Sequence, residues 1–217
     1  MQHQVEGGEQ MSYSVKPQSH ELEEAKRTVE QALQACEAVS EKEGDIVIEL
    51  GWTGDEYAVE KLGGASGFTH SEQRIELKFN TEPGNWKNFL QAAVAHEYAH
   101  TLFFEKHDEI VFNWQDILFE AHAQHFAEKV FPEKEVPWRE KYSREELESR
   151  WRELKEIMGD ELDSGRSLMY GGGEFPEWTG YSLAYAIGEK LLRDRDLDEL
   201  PELKRSSVIE AGDELFR

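Results

Sequence analysis

The chain has 217 residues, 38% of them hydrophobic and 11% aromatic, which is enough to bury a core and too apolar for a disordered tail. Acids outnumber bases 46 to 24, and the resulting formal charge of -22 argues against nucleic-acid backbones and anionic membrane surfaces as partners. A single cysteine, Cys36, excludes an intramolecular disulfide and a thiolate metal cluster, and it points to a reducing, cytoplasmic compartment. The acid excess is spread along the whole chain, so adaptation to high salt and an ordinary acidic cytosolic protein both fit. No run approaches the roughly 18 apolar residues of a membrane span. Residues 1–19 lack the apolar centre of a secretory signal and read as a mobile leader. The remainder, 20–217, reads as one domain.

Residues 21–43 place Leu22, Ala25, Val29, Leu33 and Cys36 at helical spacing, with Ser19 as the expected cap and Cys36 as a small buried hydrophobe. Residues 45–52 cluster Ile46, Val47, Ile48 and Leu50 as a strand, and 57–62 read as a second, weaker strand. Gly63, Gly64 and Gly67 mark a loop. In 74–79, Ile75, Leu77 and Phe79 alternate onto one face, the pattern of a half-buried strand. Pro83-Gly84 turns the chain into a long helix over 85–104, with Trp86, Phe89, Leu90, Ala93 and Val94 as its buried stripe. A second helix spans 114–130 and stops at Pro132. Residues 137–158 lead from a polar linker into a charged helix, 170–173 form a glycine-rich loop, and helices follow over 178–192 and 208–216. A few early strands followed by helices predict an α+β domain with a small, mostly antiparallel sheet.

The chemistry concentrates at His96-Glu97-Tyr98-Ala99-His100. Two histidines four apart on a helix lie about 40° apart around its axis, so both rings can reach one ion, and neutral imidazole is a good zinc ligand. Glu97 lies beside the metal and is suited to take a proton from water. A bare His-Glu-x-x-His can arise by accident in a chain with 8 histidines and 46 acids. Here, however, it falls inside the expected helix with the uncharged flanks Val94, Tyr98, Ala99, Thr101 and Leu102.

A catalytic zinc takes three protein ligands and keeps an open fourth place. A third histidine six residues on, with a glycine between, is ruled out because Lys106 and Phe103 hold those positions. A carboxylate from a later helix is available in Glu120, set between Phe119 and Ala121, where it needs a partner if buried. Gln124 and Asp116 compete to accept a proton from the far nitrogen of a zinc histidine. His122 and His125 read as fallback ligands, donors to substrate, or plain core or surface histidines. For the oxyanion that forms when water attacks a carbonyl, the candidates are Tyr181, Tyr185, Tyr170 and His125. Tyr181 is preferred because it follows Gly180 near a helix start, although a packed aromatic is an equal reading.

The runs 94–100 and Glu120-Ala121-His122-Ala123-Gln124-His125-Phe126 resemble a family of predicted, functionally uncharacterised zinc-dependent proteases. That family pairs an HEYxH helix with an E-G-x-A-x-H-F helix. Its closing glycine–tyrosine helix is similar to Trp178-Thr179-Gly180-Tyr181-Ser182-Leu183-Ala184-Tyr185. The likeness covers roughly residues 70–195 and departs at Ala121 and Ala184, where the family carries glycine. It implies a gluzincin-like, zincin-like metallopeptidase with ligands His96, His100 and Glu120.

The expected function is therefore a Zn2+-dependent peptidase acting on a peptide or protein substrate, with Glu97 as general base and Tyr181 or His125 steadying the oxyanion. A non-peptide amide would suit the same chemistry. The alternative is a non-catalytic regulatory or interaction protein whose zinc is structural and closed by a fourth ligand. With no long heptad seam, a monomer is expected.

Overall fold

The computed structural model describes residues 17–133, 136–139, 141–163, 166–171 and 173–217. Helix α1 (Ser19–Glu37) buries Ala25, Val29, Ala32 and Cys36 along one stripe. Its start is set by Gln18 and not by the expected Ser19: the Gln18 N–H donates to the Glu21 carboxylate at 2.6 Å. The expected leader lies outside the described residues apart from its last three.

The sheet has three strands, β1 (Val47–Trp52), β2 (Ala65–Ser71) and β3 (Arg74–Phe79), in the order β1-β3-β2. Ile75, Leu77 and Phe79 of β3 are fully buried, as their alternation requires. β3 pairs antiparallel with β2 and parallel with β1, with Ile48 opposite Ile75 and Leu50 opposite Leu77. The sheet is therefore mixed rather than mostly antiparallel, because β3 inserts between its hairpin partner and the first strand.

The second strand expected at 57–62 is instead a short helix, α2 (Glu56–Lys61), started by Asp55, whose Oδ1 accepts the Tyr57 N–H at 2.8 Å. Gly63 and Gly64, at φ of 64° and 85°, make the turn that follows, but Gly67 belongs to β2.

The helical half comprises α3 (Trp86–Phe104), α4 (Asn113–Val130), α5 (Arg144–Ile157), α6 (Ser167–Tyr170), α7 (Thr179–Leu191) and α8 (Arg205–Leu215), with a 3-10 segment over Leu197–Glu202. The architecture is α+β. Two apolar cores meet along α3. Its first turns (Trp86, Leu90, Val94) join α1 and the sheet, while Ala95, Tyr98, Ala99, Leu102 and Phe103 join α4 and the later helices.

Helix α4 packs against α3 on one flank and α7 on the other, and it is buried around nearly its whole circumference from Asp116 to Phe126. A helix enclosed on every side must satisfy its polar groups internally, and from Asp116 to Phe126 α4 carries five of them: Asp116, Glu120, His122, Gln124 and His125. Among the described residues no helix is long and apolar enough to cross a membrane.

Candidate metal centre

His96 and His100 lie one turn apart on the middle of α3, and Glu120 faces them from α4. Nε2 of His96 is 3.2 Å from Glu120 Oε2, and Nε2 of His100 is 3.8 Å from Oε1. The three prospective ligand atoms all fall within 4.8 Å of one another. The imidazoles meet edge to face at 4.6 Å, and the His100 ring is stacked on Phe119 with centroids 3.6 Å apart. Glu120 Oε2 is buried without a well-directed hydrogen bond.

Two imidazoles and one carboxylate with an oxygen to spare fit a zinc ion and leave a coordination place for solvent. Burial, then the neighbouring His96, holds the His100 ring well below the usual imidazole range, so it stays neutral and available as a ligand. Burial works against charge on His96 as well. There it is outweighed by contact with Glu120 and the charge of Glu97, and the net shift is upward.

Glu120 is held below the usual carboxylate range although burial pushes the other way, because His96, His100 and Arg166 surround it. Arg166 is the residue that sequence reasoning missed. Its Nη2 donates to Glu120 Oε1 at 2.8 Å and also to Asp116 Oδ1, while its Nε reaches Asp116 Oδ2 at 3.3 Å. Asp116 and Glu120 sit one turn apart on α4 with side chains 1% exposed, a repulsive pair that requires a cation between them. Burial, reinforced by Glu120, pushes Asp116 up to about 6 despite Arg166. Arg166 holds a left-handed backbone, φ 45° and ψ 50°, which costs a non-glycine residue roughly 1–2 kcal/mol and is offset here by the paired carboxylates.

Glu97 stands apart from the ligand trio, anchored to the sheet. The Thr69 hydroxyl of β2 donates to its Oε2 at 2.7 Å, with the Glu97 backbone carbonyl 3.0 Å away. The approach depends on Gly67, since a Cβ there would lie 2.4 Å from Glu97 Cγ. Burial raises the Glu97 pKa above the usual carboxylate range, against the pull of His96 and the Thr69 hydrogen bond.

The family model described as "Predicted Zn-dependent protease (DUF2268)" matches residues 24–209. The chain belongs to this family. No curated protein and no solved structure matches it.

In this DUF2268 protein the remaining sequence candidates separate clearly. Gln124 donates from Nε2 to the Tyr181 carbonyl at 3.0 Å and accepts Trp138 Nε1–H at 2.7 Å, so it braces α7 and not a zinc histidine. Asp116 is taken by Arg166. His122 bonds the backbone of Ala99, and burial lowers its pKa to about 4. His125 lies with Nε2 2.9 Å from the Tyr185 carbonyl and its ring stacked on Tyr185, outside the residue set around the trio. Tyr170 and Tyr181 do come to the site. With Gly67, His96 and Glu97 they form the wall shared by a small cavity of about 50 Å³ over the trio and a larger one of about 330 Å³ beside it. Tyr185 lines only the larger cavity. Cys36 is a core residue, as expected, and burial raises its thiol to about 12.

Proposed function

We propose that this DUF2268 protein is a zinc-dependent peptidase on a zincin-like domain spanning 20–217, with His96, His100 and Glu120 as metal ligands and Glu97 as general base. The observation that carries the reading is the convergence of two α3 imidazoles and an α4 carboxylate on one small cavity that a separate carboxylate, Glu97, also lines. A zinc ion held there would supply Lewis acidity, lowering the pKa of water and polarising a carbonyl.

The chain's own residues fit the accompanying roles. Thr69 orients Glu97, whose raised pKa brings it nearer neutrality, where one carboxylate can take a proton from water and return it to a leaving amine. Tyr181 is buried and its phenol is pushed well above the usual range by burial and then by Glu120, so it stays protonated and can donate to a developing oxyanion. His125, turned to the Tyr185 carbonyl, is left out of this catalytic set. Arg166 engages Glu120 Oε1 and leaves Oε2 toward His96, a positioning role that Asp116 supports.

A closed structural zinc site would need a fourth protein ligand. Among the described residues the candidate metal cluster has three members, which favours the open, hydrolytic reading. The test is Glu97→Gln in zinc-loaded protein assayed on a fluorogenic peptide library. Turnover should vanish while bound zinc, read by elemental analysis, stays near stoichiometric; undiminished cleavage would end the assignment.

A further inference from the structure

The cavity of about 330 Å³ opens from the wall that carries His96 and Glu97, near the lower end of the size range of small-ligand sites. Aromatic side chains make much of its lining, among them Tyr57, Phe89, Trp138, Trp178, Tyr181 and Tyr185. The rings brace one another. Trp138 stacks on Tyr181 at 4.8 Å and meets Trp178 edge-on at 6.2 Å, and Trp178 meets Tyr57 at 6.4 Å. The wall is therefore built before any ligand arrives.

The polar tips of three of these aromatics are already engaged. Trp138 Nε1–H is taken by Gln124, Trp178 Nε1–H by the Tyr57 hydroxyl at 2.6 Å, and the Tyr185 hydroxyl by Glu128 at 3.0 Å. At the rim, Arg139 pairs with Glu128 at 3.1 Å and lies over the Tyr185 ring, and Asp55 caps α2. A charged side chain entering this chamber would lose much of its water among these rings, whereas an apolar one would meet a mostly aromatic and aliphatic lining without that cost.

We propose that the chamber is the substrate's main specificity pocket and takes one large apolar side chain, aromatic or branched aliphatic, from a residue flanking the scissile amide. This rests on the peptidase reading, since the wall shared with the trio is what places such a side chain next to the reacting bond. On the α3 side the floor is Ala92 and Ala93, small residues in the same helical stripe as Phe89 and His96, and they set the chamber's depth.

The test uses labelled peptides that differ at one position (Phe, Leu, Ala, Asp or Lys), with binding to zinc-loaded Glu97→Gln full chain read by fluorescence anisotropy. Phe and Leu peptides should bind about 10- to 100-fold more tightly than the Ala peptide, and Asp and Lys peptides no better than Ala. Adding Ala93→Phe should erase that preference, and Ala92→Phe serves the same end if the first variant fails to fold. Affinities equal within about 3-fold across the series, or a preference for Asp or Lys, would overturn the pocket assignment. Wild-type cleavage of the same peptides separates the two readings. Phe-selective binding without cleavage removes the peptidase and keeps the pocket, and cleavage indifferent to the side chain does the opposite.

Discussion

Replacing Gly67 with alanine asks whether Glu97 owes its place to one missing methyl group. Gly67 lies inside β2, where glycine to alanine would ordinarily stabilise by about 0.4–1 kcal/mol through the unfolded chain. Here the new Cβ would sit 2.4 Å from Glu97 Cγ and 2.8 Å from its Oε1. Ordinary contact begins near 3.4 Å, so the carboxylate must retreat by about 1 Å or the strand must move. Either response strains the Thr69 hydrogen bond and should turn the expected gain into a loss of roughly 1–3 kcal/mol, read by urea unfolding. A displacement of about 1 Å at a proton-transfer group costs on the order of 100-fold in rate. The three atoms nearest the new methyl all belong to Glu97, so zinc content should hold. A Gly67→Ala protein with wild-type stability and wild-type peptide turnover would refute both the steric argument and the role given to Glu97.

Three further outcomes follow from the same structure. Glu120→Ala should lower bound zinc sharply when metal is measured on protein purified without added metal, and unchanged zinc would remove Glu120 as a ligand. Cys36, with its thiol raised to about 12 in a closed core, should stay inert to thiol reagents from pH 7 to 9 and react only as the chain unfolds; immediate labelling would contradict its burial. Burial holds the folded His125 below its unfolded pKa of about 6.5, so its contribution to stability is complete above that value and is lost as pH falls through the folded pKa. Comparing urea midpoints of wild type and His125→Gln between pH 7.5 and 5.5 should show the steeper fall in wild type, by at most about 1.4 kcal/mol per pH unit, and parallel profiles would argue against it.

The periodic parts of the chain announced themselves. Ile75, Leu77 and Phe79 alternate because one face of β3 meets α3, and the α3 and α4 helices lie within a residue of where their spacing put them. The second strand did not, because Ala65, Ser66 and Gly67 carry no apolar alternation, and Gly67 is small where Glu97 of α3 approaches. Tyr57, Ala58 and Val59 looked strand-like, although Asp55 ahead of them is a helix cap whose signal was available.

At the centre, His96, Glu97, His100 and Glu120 were legible from spacing and from a carboxylate stranded in an apolar helix. Arg166 was not, since it stands just before the short helix α6, 46 residues from its carboxylate partner Glu120, with no repeat to single it out. The one available clue was physical: Asp116 and Glu120, a turn apart on an enclosed helix, needed a cation. The sequence could not show that α4 has a second flank, where Gln124 and His125 both bond the backbone of α7.

The division of α3 between two cores sets an order of failure. The proposed base hangs from the sheet side through Thr69, whereas the trio is knitted by α3, α4 and Arg166 on the helical side. Fraying of the smaller, sheet-side core would release Glu97 first and leave the imidazoles and Glu120 together. Heat or mild denaturant would then pass through a species that keeps the proposed metal ligands together but has lost the proposed base.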